Sequence, residues 1–178
     1  MEIIKVLDKE FKLYIKQEEI ENVIKDIASQ INVEYKDRNP LFLVMLNGAF
    51  MFASQLFKEL TIDCETSFVK YASYVGTQSS CEVKELIGLN PSLEGRDVVV
   101  IEDIIDSGFT MKSLLQKLED MKVASVKVAT MLFKPNAFKF DYKIDYIGMN
   151  IGNEFIVGYG LDYNQHGRNY GSIYKVID

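Results

Sequence analysis

The sequence predicts an α/β fold, with a mainly parallel sheet flanked by helices, and two kinds of pattern lead to this prediction. Continuous apolar runs occupy 41–46 and 98–101, and 125–133 is a third, mostly apolar stretch; such stretches are typical of strands buried on both faces of a parallel sheet. Apolar residues at steps of three and four lie next to these runs, which gives the alternation of strand and helix found in α/β domains. A chain of 178 residues fits one domain, spanning 1–178, with one substantial core.

The composition is that of a soluble globular protein, with 48% apolar and 26% charged residues. A net charge of −6 argues against a nucleic-acid partner. Cys64 and Cys81 lack metal-ligand spacing and are interpreted as thiols in a reducing compartment. The first residues show no signal-peptide pattern, and the most apolar stretch, 41–53, is too short to span a bilayer. We therefore expect a cytoplasmic protein that binds neither membrane nor nucleic acid.

The first part of the chain is predicted to contain a short strand at 3–7, an amphipathic helix at 17–31 and a buried strand at 41–46. Asn47 and Gly48 follow this strand, and helical spacing resumes after them. The result is a strand–turn–helix unit with a small-residue turn, a bend that nearly every βαβ unit needs.

The next part is predicted to form strands at 61–71 and 82–87, with a small and polar segment at 72–81 between them. Such a segment is either an ordinary hairpin loop or a mobile lid over a ligand. The residues alone leave both interpretations open.

The stretch 98–110 has the strongest functional pattern in the chain. The run 98–101 is predicted to be a buried strand that Glu102 and Asp103 end with an acidic bend, and a small-residue turn and a helix at 107–121 follow. A turn that leads into a helix N-terminus presents unpaired N–H groups and a positive dipole end to an anion. Its hydroxyls add donors, and its glycine permits a phosphate to approach the backbone. The turn consists of Asp106, Ser107, Gly108, Phe109 and Thr110.

Two acidic residues directly before an anion site indicate a ligand that also brings cations or hydroxyl groups. A sugar phosphate with Mg²⁺ meets both requirements, since Mg²⁺ favours carboxylates together with substrate oxygens. The alternative is an ordinary acidic strand–helix turn, as in receiver or flavodoxin-like domains.

The last third of the chain contains a lysine, Lys134, directly after the predicted strand 125–133. This is the sheet edge at which ligands bind in α/β folds, but a lysine at a strand end is often only a solvated charge. Farther on, glycines among aromatic residues favour strands and bends over a helix.

Two stretches resemble a known family. The stretch VVVIEDIIDSGFT, 98–110, resembles the phosphoribosyl-pyrophosphate (PRPP) signature of type I phosphoribosyltransferases. The stretch FIVGYGLDYN, 155–164, with an arginine six residues after its aspartate, resembles the hood segment of the hypoxanthine-guanine phosphoribosyltransferases. The resemblance covers the chain from 41 to about 174. It implies the type I phosphoribosyltransferase fold, with a small hood formed by about 1–15 and 145–178.

The resemblance implies an enzyme of purine salvage. Such an enzyme transfers the 5-phosphoribosyl group from PRPP to a 6-oxopurine base. With hypoxanthine the products are IMP and pyrophosphate, and with guanine they are GMP and pyrophosphate. Mg²⁺ is the implied cofactor, and a homodimer or homotetramer is the implied assembly. The residues leave open a xanthine- or guanine-preferring relative, and also a non-catalytic regulator that binds nucleotide or RNA. Asp106, Lys134 and Asp162 together favour the enzyme.

The resemblance also assigns roles to individual residues. Asp106 is the expected general base. A flexible lid loop at 72–81 is expected to close over PRPP and exclude water, and the Leu46–Asn47 peptide is a candidate for the cis form. The expected contacts of PRPP and its phosphates are Leu46, Asn47, Gly48, Ser73, Tyr74, Glu102, Asp103, Asp106, Ser107, Gly108, Phe109, Thr110 and Arg168. The expected purine contacts are Lys134, Phe155, Ile156 and Asp162, and the expected metal ligands are Glu102, Asp103 and Asp162.

Overall fold

The structure is a computed structural model that describes residues 2–73, 83–87 and 93–177. It confirms the predicted α/β class, with three helices and ten strands in the described part of the chain. In chain order these are β1 Ile3–Val6, β2 Lys9–Ile15, α1 Gln17–Glu34, β3 Leu41–Leu46, α2 Phe50–Glu59, β4 Glu65–Ser73, β5 Val83–Ile87, β6 Asp97–Ile105, α3 Phe109–Asp120, β7 Ser125–Phe133, β8 Tyr146–Asn150, β9 Ile156–Val157 and β10 Ile173–Val176.

The main sheet has six strands in the order β5-β4-β3-β6-β7-β8, and all neighbours except β4 and β5 pair in parallel. Helices cover both faces, which explains why β3 is a continuous apolar run. Alternate side chains of a strand point to opposite faces, so Phe42 and Val44 pack in the same cluster as α1 and α2, whereas Leu43 packs in the cluster of α3. The carboxyl ends of β3 and β6 therefore meet at one edge of this sheet.

Strand β6 is longer than predicted. The acidic residues Glu102 and Asp103 do not end the strand, because its pairing with β7 continues to Ile105↔Phe133. Both carboxylates therefore project from a paired strand rather than from a bend.

The smaller sheet, here called the hood, has four antiparallel strands in the order β1-β2-β10-β9. It unites the two ends of the chain over a small core that includes Phe11 and Val157. The predicted hood boundary at residue 145 is wrong, because β8 pairs in parallel with β7 and belongs to the main sheet.

The polar segment predicted at 72–81 begins later than expected. Strand β4 extends to Ser73, whose backbone pairs with Val83 of β5. The rest of the segment, including Tyr74, lies outside the described residues, so the lid remains a prediction. Across the part of the chain that the structure describes, no helix combines the length and apolar character needed to cross a membrane.

Candidate active site

A cavity of about 280 Å³ lies at the carboxyl ends of β3 and β6, the position at which open α/β sheets bind ligands. Three segments border it: the turn after β3, the acidic end of β6 and the phosphate loop, a name used here for residues 106–110. Of the predicted site residues, the cavity is lined by Leu46, Gly48, Glu102, Asp103, Asp106, Ser107, Gly108, Phe109 and Thr110.

The phosphate loop has free donors. Gly108 adopts φ +85° and caps α3, which begins at Phe109. The amides of residues 107–110 donate no hydrogen bond to another residue that the structure describes. A helix N-terminus with unpaired N–H groups facing a cavity is an anion site.

Glu102 and Asp103 provide carboxylates on the cavity wall. Glu102 Oε1 accepts a hydrogen bond from the Asp103 amide at 3.1 Å, and Asp103 Oδ1 accepts one from the Ile104 amide at 2.8 Å. Burial and the neighbouring Asp103 carboxylate raise the pKa of Glu102 well above its usual value, and burial also raises the pKa of Asp103. Among the residues that the structure describes, these carboxylates therefore have no cationic partner that outweighs the effect of burial.

The carboxylate pair fits a magnesium ion that is shared with a substrate. Mg²⁺ uses one or two protein carboxylates and takes its other ligands from water and substrate phosphates. The described residues contain no group of three or more His, Cys, Asp or Glu side chains that could hold a metal ion.

Lys134 and Asp106 meet beside the phosphate loop. The Lys134 ammonium donates a hydrogen bond to Asp106 Oδ2 at 3.0 Å, although 28 residues separate the two in sequence. The Lys134 side chain is only 11% exposed, whereas that of Asp106 is 53% exposed. Because β6 and β7 are neighbours, the end of one strand places the amine and the end of the other places the carboxylate.

The turn at 46–48 is held between the acidic pair and the hood. Its Leu46–Asn47 peptide is cis, as the resemblance implies. A Cβ added to Gly48 would lie 1.6 Å from Asp103 Oδ2, and one added to Gly160 would lie 2.0 Å from the Gly48 carbonyl oxygen. The hood backbone therefore touches the turn that borders the cavity.

Arg168 and Asp162 lie next to this contact. The Arg168 guanidinium donates to the Gly160 carbonyl oxygen at 2.7 Å and forms an ion pair with Asp162 at 2.7 Å. Arg168 also acts on Asp103, where its charge lowers the pKa and partly opposes the effect of burial. Through Gly160 the pair is connected to the 46–48 turn.

The structure does not bring Phe155 and Ile156 to the cavity. Phe155 is 45% exposed, and its ring contacts Phe11 and Tyr163 of the hood at centroid distances of 6.2 and 5.7 Å. It lines a separate depression in the hood, with Lys12 and Lys175 among the other lining residues. Ile156 is buried in β9. Their purine contacts therefore stay predictions.

Sequence reasoning missed an aromatic cluster behind the phosphate loop. Phe138, Phe140 and Tyr142 pack on one another, and Phe140 also contacts Phe109 edge-to-face at 5.0 Å. Aromatic residues at every second position were the available signal, which is weaker than a motif.

The comparisons with known proteins agree with this geometry. The phosphoribosyl transferase domain pattern matches residues 14–164. Hypoxanthine-guanine phosphoribosyltransferase of Bacillus subtilis is 41% identical over 159 residues, which are 89% of this chain and 88% of that protein. The bifunctional protein TilS/HprT of Listeria monocytogenes is 43% identical over 159 residues, and this chain spans only 24% of its length.

The similar solved structures also come from hypoxanthine or hypoxanthine-guanine phosphoribosyltransferases. A hypoxanthine-guanine phosphoribosyltransferase from Bacillus anthracis, with a HEPES molecule in its active site, superposes with a TM-score of 0.89 at 32% identity and covers 99% of this chain and 100% of that one. A hypoxanthine phosphoribosyltransferase from Staphylococcus aureus has a TM-score of 0.89 at 36% identity and covers 93% and 91%.

Proposed function

Since this chain belongs to the phosphoribosyltransferase family, among its hypoxanthine-guanine members, we propose that it transfers the 5-phosphoribosyl group of PRPP to hypoxanthine or guanine in purine salvage. The products are IMP or GMP and pyrophosphate. The observation that carries the proposal is the Lys134–Asp106 pair next to a helix N-terminus with free amides. This arrangement offers a donor and an acceptor to a base beside a subsite for phosphate.

The phosphate loop holds the 5′-phosphate of PRPP. Unpaired amides at the start of α3 supply fixed donors, and the side chains of Ser107 and Thr110 border the same cavity. Glu102 and Asp103 accept hydrogen bonds from the ribose hydroxyls. Anchoring both the phosphate and the sugar fixes C1′ near the attacking nitrogen, which is an orientation effect.

The base is recognised beside the loop. Lys134 Nζ donates to the exocyclic oxygen of a 6-oxopurine, and Asp106 accepts the proton of N7 as N9 forms a bond to C1′. The C1′–oxygen bond to pyrophosphate breaks in the same step. The stacking of Phe155 on the base and the reading of the base edge by the Ile156 backbone stay predictions, because Phe155 lines a separate depression in the hood.

The leaving pyrophosphate is stabilised by the turn at 46–48 and by Arg168, whose planar fork suits phosphate oxygens. Asn47 and Gly48 provide backbone donors there. Glu102 and Asp103 would hold Mg²⁺ together with substrate oxygens, and the bound ion would neutralise the charge that develops on pyrophosphate. That Asp162 helps to hold a Mg²⁺ stays a prediction, because among the described residues it pairs with Arg168 and forms no three-carboxylate group with the other two. Ser73, the last residue of β4, and Tyr74, in the predicted lid, would exclude water.

Three further features of the proposal stay predictions: the homodimeric or homotetrameric assembly, the cytoplasmic location and the preference among 6-oxopurines. Lys134 and Asp106 recognise groups that hypoxanthine, guanine and xanthine share. Their preference therefore depends on contacts to the purine 2-position.

The test is a base panel. The protein is mixed with PRPP and Mg²⁺ and with hypoxanthine, guanine, xanthine or adenine, and nucleotide formation is measured. We expect product with hypoxanthine and guanine and none with adenine, which lacks the oxygen that Lys134 recognises. Absence of product with every 6-oxopurine would overturn the proposal in favour of a binding protein.

A pair of lysine variants controls this test. Lys134→Ala removes the ammonium at the carboxyl end of β7, and we expect a higher KM for the purine with the KM for PRPP little changed. Lys127→Ala removes an ammonium from the other end of the same strand, where it pairs with Glu34 at 3.0 Å. That variant is expected to lose stability but to keep its purine KM.

A further inference from the structure

The residues that follow β7 donate hydrogen bonds to the backbone of the phosphate loop and of the end of β6. We call residues 134–142 the clamp segment. Each of its contacts with the loop backbone uses a carbonyl oxygen of the β6–loop connection as the acceptor. The bonds run from the Lys134 amide to Ile105 O at 2.9 Å, from the Lys139 amide to Ser107 O at 3.2 Å, and from the Tyr142 hydroxyl to Gly108 O at 3.0 Å.

The carbonyl orientation fixes the amide orientation. In a trans peptide, the C=O of one residue and the N–H of the next point in opposite directions. Since the Ser107 and Gly108 carbonyls point to the clamp segment, the amides of Gly108 and Phe109 point away from it. The cavity borders the loop, and residues 135–142 do not line it. The clamp segment therefore turns two of the free donors toward the ligand side.

Tyr142 makes the one clamp contact with the loop backbone that comes from a side chain. Its ring packs edge-to-face on Phe138 at 5.0 Å and stacks on Phe140 at 6.0 Å, which holds the hydroxyl in place. Burial raises the pKa of Tyr142, so its hydroxyl stays a donor.

Gly108 and Tyr142 also fit each other sterically. A Cβ added to Gly108 would lie 2.7 Å from the Tyr142 hydroxyl oxygen, so glycine leaves the space that the phenol uses. The Gly108 carbonyl also accepts the Lys112 amide at 3.0 Å, within the first turn of α3. Two donors fix the orientation of the Gly108 carbonyl. Because this carbonyl and the Phe109 amide belong to the same peptide plane, the orientation of the Phe109 amide is fixed as well.

We propose that Tyr142 is a positioning residue for the phosphate monoester subsite: its hydroxyl holds the Gly108–Phe109 peptide with the amide toward the bound 5′-phosphate. The inference rests on the proposed function and deepens it. Tyr142 does not touch the ligand. Its removal therefore affects ligands that carry a 5′-phosphate and spares those that lack one.

The test compares IMP with inosine, which lacks the phosphate. Tyr142→Phe keeps the ring and deletes the hydroxyl. It should weaken IMP binding about 3- to 10-fold, the effect of one lost hydrogen bond, and leave inosine binding unchanged. The KM for PRPP should rise by the same factor, while the KM for hypoxanthine and kcat at saturating PRPP stay near the wild-type values.

The matched control is Tyr146→Phe. Tyr146 is buried, whereas Tyr142 is half-buried, and the Tyr146 hydroxyl donates to Glu34 at the other end of the sheet. This variant should lower the melting temperature without changing the ratio of IMP to inosine affinity. Equal ratios in the two variants would overturn the inference, and so would an equal loss of IMP and inosine binding in Tyr142→Phe. Failure of the proposed function is a different result, namely a wild-type protein that forms no nucleotide.

Discussion

At the scale of single residues, the candidate site contains the ion pair between Lys134 and Asp106, and the fold requires this pair because it buries the lysine. A lysine whose side chain is only 11% exposed needs an anionic partner, because an unpaired ammonium is costly to bury. Asp106 is that partner in the absence of substrate. In the proposed function, a purine separates the two side chains and uses Lys134 Nζ as a donor and Asp106 Oδ2 as an acceptor.

Asp106→Asn tests the role of the carboxylate. The amide keeps the size of the side chain but cannot accept the N7 proton as a base. We expect kcat to fall about 10²- to 10⁴-fold with the KM for PRPP nearly unchanged, as measured by steady-state kinetics. Asp120→Asn, at the far end of α3, controls for the loss of one negative charge and should keep full turnover. Near-wild-type turnover in Asp106→Asn would remove Asp106 from its role.

Residue types and spacing were enough to predict the phosphate loop and the acidic pair. They did not reveal that Lys134 and Asp106 bond, because the pairing of β6 with β7 brings these distant residues together. Tyr142 was missed for a similar reason. Its function lies in one hydrogen bond to a carbonyl 34 residues away, and no local pattern records that bond.

At the scale of elements, the errors concern which sheet a strand joins. Strand β2 was not predicted, although Phe11, Leu13 and Ile15 stand at alternate positions in it; its partner β10 comes from the opposite end of the chain, and the local sequence does not show that pairing. The hood boundary at about 145, which the resemblance implies, would place β8 in the hood. The pairing of β8 with β7 places it in the main sheet, a contact that the local sequence does not show.

The contact between the hood and the 46–48 turn gives a prediction at this scale. Gly160 has φ +94° and faces the Gly48 carbonyl, whereas Gly95 has φ +74° with nothing within 4 Å of an added Cβ. Gly95→Ala should therefore cost only the strain of a left-handed alanine, about 1–2 kcal/mol in the free energy of unfolding. Gly160→Ala adds a steric clash and should cost roughly 1–3 kcal/mol more.

The two variants should also differ in the KM for pyrophosphate, and this difference distinguishes them more clearly than the free energy of unfolding does. Gly160→Ala must push the hood from the turn, so we expect a higher KM for pyrophosphate in the reverse reaction. Gly95→Ala should keep the wild-type KM. Urea unfolding and pyrophosphorolysis kinetics measure the two effects, and identical behaviour of the variants would mean that this contact does not shape the pyrophosphate subsite.

At the scale of the whole molecule, the two ends of the main sheet differ: one carries the cavity and the other carries ion pairs. The carboxyl ends of the strands carry the cavity, where burial raises the pKa values of Glu102 and Asp103, and burying these carboxylates lowers the stability of the fold. Ion pairs connect the segments at the opposite end. Arg38 binds Asp97 at the start of β6, and Arg96 binds Glu65 at the start of β4. Charges at this end can be changed without touching the site.

Asp97 provides the clearest test of this division. Hydrogen bonds from the Ser125 hydroxyl and from Arg38 hold the pKa of Asp97 below its usual value of 3.8. A carboxylate whose pKa is lower in the folded state stabilises the protein above pH 3.8, and this contribution is lost as the pH falls through the lower, folded-state pKa. Stability that depends on Asp97 is therefore fully present at neutral pH.

Asp97→Asn replaces a charge-assisted hydrogen bond with a neutral one, so we expect a loss of about 1 kcal/mol in the free energy of unfolding at pH 7. The loss should shrink as the pH falls from 3.8 through the lower, folded-state pKa, because wild-type Asp97 itself becomes protonated there, and the stability curves of the two proteins should converge. Asp26→Asn, at an exposed position on α1, controls for the change in net charge. Turnover at pH 7 should be unchanged in both variants. If Asp97→Asn instead lowered kcat while stability stayed constant with pH, the two ends of the sheet would be coupled rather than independent.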